Sequence, residues 1–312
     1  MLKSKLASIA AAAALSFGVM GSAHSAVVIN AGNYKITLDN FDLGTNGYGT
    51  AAGVKCTTVD ECDAAAANPA LSGSSYDTMG IFNVARIEDK NGNTIFSPGN
   101  PIYGGKYLTG VFGGLTDSYA EVTCSPVTGC STTTLSTGGV WALYENNSEW
   151  DATQGSGVGV WDPASLTYPG ITGGTLWLEG VFGKGLIENQ PDSTYYSNFG
   201  PTLSGTGTAY LDITGGDAFD MFKPAGYTPA FTDDNGGEHD MYLTTSFDDR
   251  SGSASNLCTV PATGTVPASG CWTVKSTTQI TGVISEVPEP GTMALAGLAL
   301  LGAGLASRRR KS

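Results

Sequence analysis

The chain has 312 residues, 44 of them glycine, and a formal net charge of −13. Between Val27 and Val287 nine Lys and Arg stand against twenty-seven Asp and Glu, a balance that repels phosphate backbones and excludes nucleic-acid binding. Abundant Gly, Ser and Thr oppose long helices, while recurrent Tyr, Phe and Trp supply the aromatic area of a packed core and exclude a disordered chain.

At the N-terminus Lys3 and Lys5 precede an apolar stretch over 6–20 and the small-residue run Gly21-Ser22-Ala23-His24-Ser25-Ala26. That order predicts a secretory signal peptide over 1–26, helical and handed to the Sec translocon, with cleavage after either Ala23 or Ala26. The region that follows, 27–286, has the length of one large or two small β domains. Tyr34, Ile36 and Leu38 alternate with Lys35, Thr37 and Asp39, which predicts a half-buried strand over 34–41. Residues 56–70 predict one short helix or turn, stopped by Pro69, and 81–96 predict two strands joined at Asn91-Gly92. Further strands are predicted at 106–112, 120–124, 140–144, 175–182, 206–213, 239–246 and 271–285, separated by Gly, Pro, Asn and Asp clusters. This succession predicts an all-β body, an antiparallel β-sandwich or jelly roll. Leu108-Thr109-Gly110-Val111-Phe112-Gly113 is echoed by Leu178-Glu179-Gly180-Val181-Phe182-Gly183, which reads either as a duplicated unit or as two similar core strands.

Six cysteines follow the signal segment in three close pairs: Cys56 with Cys62, Cys124 with Cys130, and Cys258 with Cys271. An even number in an exported chain predicts disulfides, and neighbours in sequence are the least costly closures. Zinc fails, because no pair has two-residue spacing.

His239 is the one histidine of the predicted folded region, so a three-histidine or His-Glu-x-x-His metal site is excluded, and no Gly-x-Ser-x-Gly elbow accompanies it. No catalytic residue is assigned and no cofactor is required. Asp233, Asn235, Glu238 and Asp240 gather hard oxygen donors around Gly236 and Gly237, a candidate calcium loop that reads equally well as a solvated acidic turn. Trp141, Tyr144, Trp150 and Trp161 could stack on sugar rings or fill the core, and the acidic residues are too many to assign a glycosidic pair.

The C-terminus reads Val287-Pro288-Glu289-Pro290, then a small and apolar stretch over 291–306, then Arg308, Arg309, Arg310 and Lys311. The prolines keep the first part extended and open to a processing enzyme. The second part predicts a short transmembrane helix of about 24 Å, and the cations hold its end in the cytoplasm. These three parts together, over 287–312, resemble the PEP-CTERM sorting signal. The resemblance implies export, a transient inner-membrane anchor, recognition by an exosortase, and delivery to the cell surface or exterior. It further implies association with exopolysaccharide and a place in biofilm, as a non-catalytic surface or matrix protein. A carbohydrate-binding or carbohydrate-active protein and a calcium-stabilised adhesin are the alternatives.

Overall fold

The computed structural model describes residues 32–43, 55–65, 78–127, 129–150, 165–200, 204–248 and 274–284. The predicted signal peptide (1–26), the tail (287–312) with its helix over 291–306, and the pair Cys258 and Cys271 lie outside the described residues. The strands are β1 (Gly32–Leu43), β2 (Lys55–Cys56), β3 (Thr78–Glu88), β4 (Thr94–Phe96), β5 (Tyr107–Ser125), β6 (Gly129–Asn146), β7 (Thr175–Gly183), β8 (Ser193–Phe199), β9 (Gly205–Gly215), β10 (Phe231–Thr232), β11 (Glu238–His239), β12 (Met241–Asp248) and β13 (Val274–Ile284). Two short α-helices, α1 (Val59–Ala65) and α2 (Phe219–Phe222), and a 3-10 turn at Pro101–Tyr103 accompany them among the described residues.

The all-β expectation holds, but the strands do not divide into two facing sheets. Antiparallel ladders link β5 to β3, β3 to β1, β1 to β13, β13 to β12 and β12 to β9. From β9 the pairing passes through β7 and β8 to β6, and β6 returns to β5 along the longest hairpin among the described residues. Hydrogen bonding therefore runs in a closed circuit, an antiparallel barrel of eight lanes among the described residues. Closure satisfies the backbone groups that an open sheet would leave at its edges.

One lane is shared. Residues 140–145 of β6 pair with β7, whereas residues 132–137 pair with β8. The hand-over falls at Gly138 and Gly139, whose φ values of 74° and 97° lie in the left-handed region, opposite Gly114 at 73°. A Cβ on Gly138 would stand 2.7 Å from the Gly114 carbonyl oxygen, and one on Gly139 would press on Leu115 and Phe182. Glycine is thus required where the long hairpin bends to follow two successive neighbours. The predicted strands at 106–112 and 120–124 are one strand, β5, and β8 was not predicted at all.

The alternation of β1 sets the inside of the barrel. Tyr34, Ile36 and Leu38 are buried in the main core, while Lys35, Thr37 and Asp39 are partly exposed. Fully burying each large apolar side chain contributes about 1.5–3 kcal/mol. At one end the interior is stopped by aromatics, with Phe222 of α2 edge-on to Tyr34 at 5.3 Å and to Trp177 at 5.5 Å. Outside the ring a second cluster covers Phe41, Ile81 and Val111 with Trp150, Tyr168 and Ile171 from the β6–β7 connection. That cover is pinned by Thr109 Oγ1 and Asn146 Nδ2, which donate to the Ile171 carbonyl oxygen at 2.8 and 3.0 Å. Outward residues on β12 and β13 include the exposed polar side chains Thr244, Ser246, Lys275, Thr277 and Gln279. Among the described residues no helix is long and apolar enough to cross a membrane.

Two of the three expected disulfides are present. Cys56–Cys62 ties β2 to α1, and Cys124–Cys130 closes the tip of the β5–β6 hairpin, where the two residues are cross-strand partners. The Asn91-Gly92 turn also forms: Gly92 takes φ 79°, and Asp89 Oδ1 accepts from the amides of Asn91 and Asn93 at 2.8 and 2.9 Å. The two echoed segments flank β6 from opposite sides, but Phe112 pairs with Trp141 while Gly180, not Phe182, pairs with Trp141. The offset favours two similar core strands over a duplicated unit.

Candidate functional site

The predicted oxygen-ligand loop folds as a tight acidic turn whose donors are turned to other partners. Asp233 Oδ1 accepts from the amides of Asn235 and Gly237 at 2.7 and 2.8 Å, which closes the turn on itself. Asn235 Nδ2 donates to the carbonyls of Gly185 and Ile187, Glu238 is exposed, and Asp240 Oδ2 accepts from the Ile213 amide at 2.7 Å and Lys223 Nζ at 2.8 Å. Among the described residues no group of three or more His, Cys, Asp or Glu stands where it could hold a metal ion.

What the turn does build is a clamp on His239. Asp233 Oδ2 lies 3.2 Å from its Nε2, Asp212 Oδ2 from β9 lies 3.1 Å from its Nδ1, and the ring stacks on Tyr210 at 4.5 Å. Gly183 faces the imidazole and leaves it room, because a Cβ there would strike Nδ1. Burial of the ring works against its charge, but the hydrogen bonds and charges of Asp212 and Asp233 outweigh it and hold His239 above the usual histidine value. Burial likewise raises Asp233, yet the Gly237 amide and His239 bring its carboxyl below the usual range. Both ring nitrogens thus face carboxylate oxygens, and the imidazole ties β9 to the turn between β10 and β11.

Of the four aromatics considered for sugar stacking, Trp141 and Trp150 are core residues. Trp141 is inside the ring with Nε1 donating to the Val181 carbonyl oxygen, Trp150 packs edge-on against Phe41 and Tyr168, and Tyr144 is half-buried beside them. Trp161 lies outside the described residues. The aromatics that share the outer face are others: Tyr210, Phe231 and Tyr242, with ring centroids 5.4–6.5 Å apart and all half-exposed. Tyr210 and Tyr242 are cross-strand partners on β9 and β12, and the β10–β11 hairpin brings Phe231 onto them. Their separation in sequence hides them. Only the outward parity of Tyr210 and Tyr242 was legible.

The barrel also has a hollow. Beyond the aromatic stop, a cavity of about 100 Å³ lies inside the ring, bordered by side chains from each of the eight lanes. Most of its wall is apolar, including Phe82, Phe112, Phe182 and Leu243. Two strips are not: β1, β12 and β13 contribute Asn40, Asp42, Thr245 and Thr278, and β6 and β8 contribute Thr134 and Ser197, all buried. Asn40 Nδ2 donates to Thr278 Oγ1 at 2.6 Å, Thr278 donates on to Thr245 Oγ1 at 2.8 Å, and Ser276 donates to Asp42 Oδ2 at 3.0 Å. Burial pushes the Asp42 carboxyl up to about 7, against the lowering effect of Ser276. Asn40 and Asp42 continue the inward parity of Tyr34, Ile36 and Leu38, so their position was readable in the sequence, although their surroundings were not.

Residues 286–311 match the PEP-CTERM protein-sorting motif. No curated protein and no solved structure matches the chain. The matched span includes the residues predicted for sorting, Val287, Pro288, Glu289, Pro290, Arg308, Arg309 and Arg310, and the motif implies a secreted protein processed by an exosortase.

Proposed function

We propose that this chain is a non-catalytic protein of the cell surface or extracellular matrix, held in the inner membrane by its tail until an exosortase removes it, and then associated with exopolysaccharide in biofilm. The observation that carries the reading is the sorting motif over 286–311. The barrel is compatible cargo: its closed hydrogen bonding offers few strand edges for aggregation outside the cell, and two disulfides suit an oxidising compartment. Fractionation of cells with and without the sorting enzyme tests it. The processed chain is expected in the polymer-bound fraction, and in the membrane when the enzyme is missing; a processed chain wholly free in polymer-containing medium would contradict matrix association.

A carbohydrate-binding role is the second reading, favoured by the half-exposed trio Tyr210, Phe231 and Tyr242. Clustered aromatic faces on a polar exterior are suited to stacking against sugar rings. Replacing Tyr242 with Ala is expected to lower retention on the purified polymer while leaving the fold intact, as read by circular dichroism. Unchanged retention removes the trio from consideration.

A further inference from the structure

The two polar strips of the hollow are largely closed on themselves. Thr134 Oγ1 and Ser197 Oγ share a hydrogen bond of 2.7 Å, and Asn40, Thr278 and Thr245 are joined by successive donations at 2.6 and 2.8 Å. Tyr195 is the exception. It borders the hollow from β8 and stands edge-on to Phe182 at 6.3 Å. Although it is inside the ring it is only half-buried, so its open surface is turned to the hollow. Its hydroxyl makes no hydrogen bond with any described residue, and unlike Asn40 Oδ1 it is not sealed from a molecule the size of water. Gly207, the cross-strand neighbour of both Ser197 and Thr245, gives the phenol its room, because a Cβ there would strike the Tyr195 oxygen. Burial first, then the charges of Asp42 and Asp117, hold the phenol well above its ordinary value, so it keeps its proton and is a donor. A donor without an acceptor inside a fold costs about 1–3 kcal/mol, a penalty that native structures seldom keep without a use.

From these observations we propose that the hollow binds a small neutral molecule with one hydrogen-bond-accepting oxygen, a short-chain ketone or aldehyde, which accepts from the Tyr195 hydroxyl while its apolar body lies against Phe112, Phe182 and Leu243. The apolar wall begins at the phenol itself: Phe182 adjoins Tyr195, and Phe112 adjoins Phe182 with ring centroids 6.4 Å apart. Charge narrows the class. Asp42 and Asp117 lie near enough to Tyr195 to disfavour negative charge on it, and they oppose a carboxylate ligand in the same way. A cation gains little, since Asp42 Oδ1 is sealed, Asp42 Oδ2 accepts from Ser276 at 3.0 Å and Asp117 accepts from Ser136 at 2.8 Å. Size points the same way. The hollow of about 100 Å³ is smaller than the roughly 150 Å³ cavity that takes benzene, so it suits a ligand of about five heavy atoms. A barrel of eight lanes either fills its interior with side chains or holds one small ligand. The site is independent of the sorting tail and of matrix association.

The test uses the chain purified from the producing cells and two probes of one shape: 2-butanone, and 2-methyl-1-butene, in which a methylene replaces the carbonyl oxygen. Butyrate is the charged control. Binding is read by ligand-observed NMR and by thermal shift. Tyr195→Phe, which removes only the hydroxyl, is expected to weaken 2-butanone about fivefold, the net worth of one hydrogen bond, and to leave the alkene unchanged. Leu243→Phe, which narrows the hollow away from that hydroxyl, is expected to weaken both. In the unaltered chain the ¹³C carbonyl resonance of bound, labelled 2-butanone is expected near its position in alcohol. A position near that in hexane would mean that no donor reaches the oxygen, and it decides the matter even if Tyr195→Phe fails to fold. An equal effect of Tyr195→Phe on the two probes would reduce the hollow to an unspecific apolar space and overturn the proposal. Butyrate binding more tightly than the ketone would overturn the neutral class, and no binding of 2-butanone would show that ordered water serves Tyr195 and overturn the whole.

Discussion

Asp42 sits on the inward face of β1 with Oδ2 hydrogen-bonded to Ser276, and burial outweighs that contact enough to hold its carboxyl at about 7 against an ordinary 3.8. A raised folded-state value means that the fold prefers the protonated form. Stability is complete below the unfolded value and declines as pH climbs from about 4 through 7, by on the order of 4 kcal/mol in all. Asp42→Asn removes the ionisation: the variant is expected to gain up to that amount over the parent at pH 8 and nothing near pH 4, compared by chemical denaturation at both. A variant that gains nothing at pH 8 would show that the carboxyl is not held in its neutral form. His239 obeys the same sign by a different cause, since its folded-state value is raised by Asp212 and Asp233. Its contribution is present below about pH 6 and lost as pH rises through the folded value. His239→Gln is therefore expected to cost about 2 kcal/mol at pH 5, from two charge-assisted hydrogen bonds, and progressively less at higher pH. A cost independent of pH would identify packing on Tyr210 as the larger contribution.

At the scale of elements the long β5–β6 hairpin organises the ring, and its two special places make separate predictions. The Cys124–Cys130 bridge closes a loop of small sequence separation, so replacing both residues with Ser is expected to cost roughly 2 kcal/mol by the chain-entropy argument, with a corresponding fall in Tm. The bend is less forgiving. Gly139→Val places a branched side chain at φ 97° against Leu115 and Phe182, and a loss above about 2 kcal/mol is expected. A Tm within a degree of the parent would mean that the hand-over from β7 to β8 tolerates a straight hairpin. Much at this scale was legible in sequence: the β1 alternation, the Asn91-Gly92 turn, α1 and two neighbouring disulfides are all local chemistry. The single strand β5 was not, because Gly113 and Gly114 read as a break. β8 was missed since Ser193, Thr194, Ser197 and Asn198 mask its period, and its pairing comes from β6 and β9 rather than from its own apolarity.

For the whole molecule the decisive facts are an inward-facing apolar barrel and a tail that is an address. Replacing Pro288, Glu289 and Pro290 together with Ala is expected to leave the barrel's melting unchanged while the full-length chain accumulates in the inner membrane, followed by immunoblotting of fractions. Normal maturation of that variant would separate processing from the motif. The two halves of the experiment are independent because the tail lies beyond β13, the last strand of the ring.

Sequence by itself determined the strand-forming composition, the parity that turns Tyr34, Ile36, Leu38, Asn40 and Asp42 inward, the local cysteine pairs and the sorting motif. Each is written in neighbouring residues or in a period of two. Only tertiary structure decided that the sheet closes, that Asp212 and Asp233 meet on His239, that Tyr210, Phe231 and Tyr242 share a face, and that a hollow remains beside Asn40. These depend on which strands become neighbours, and that is fixed by the joint burial of all eight lanes rather than by any one of them.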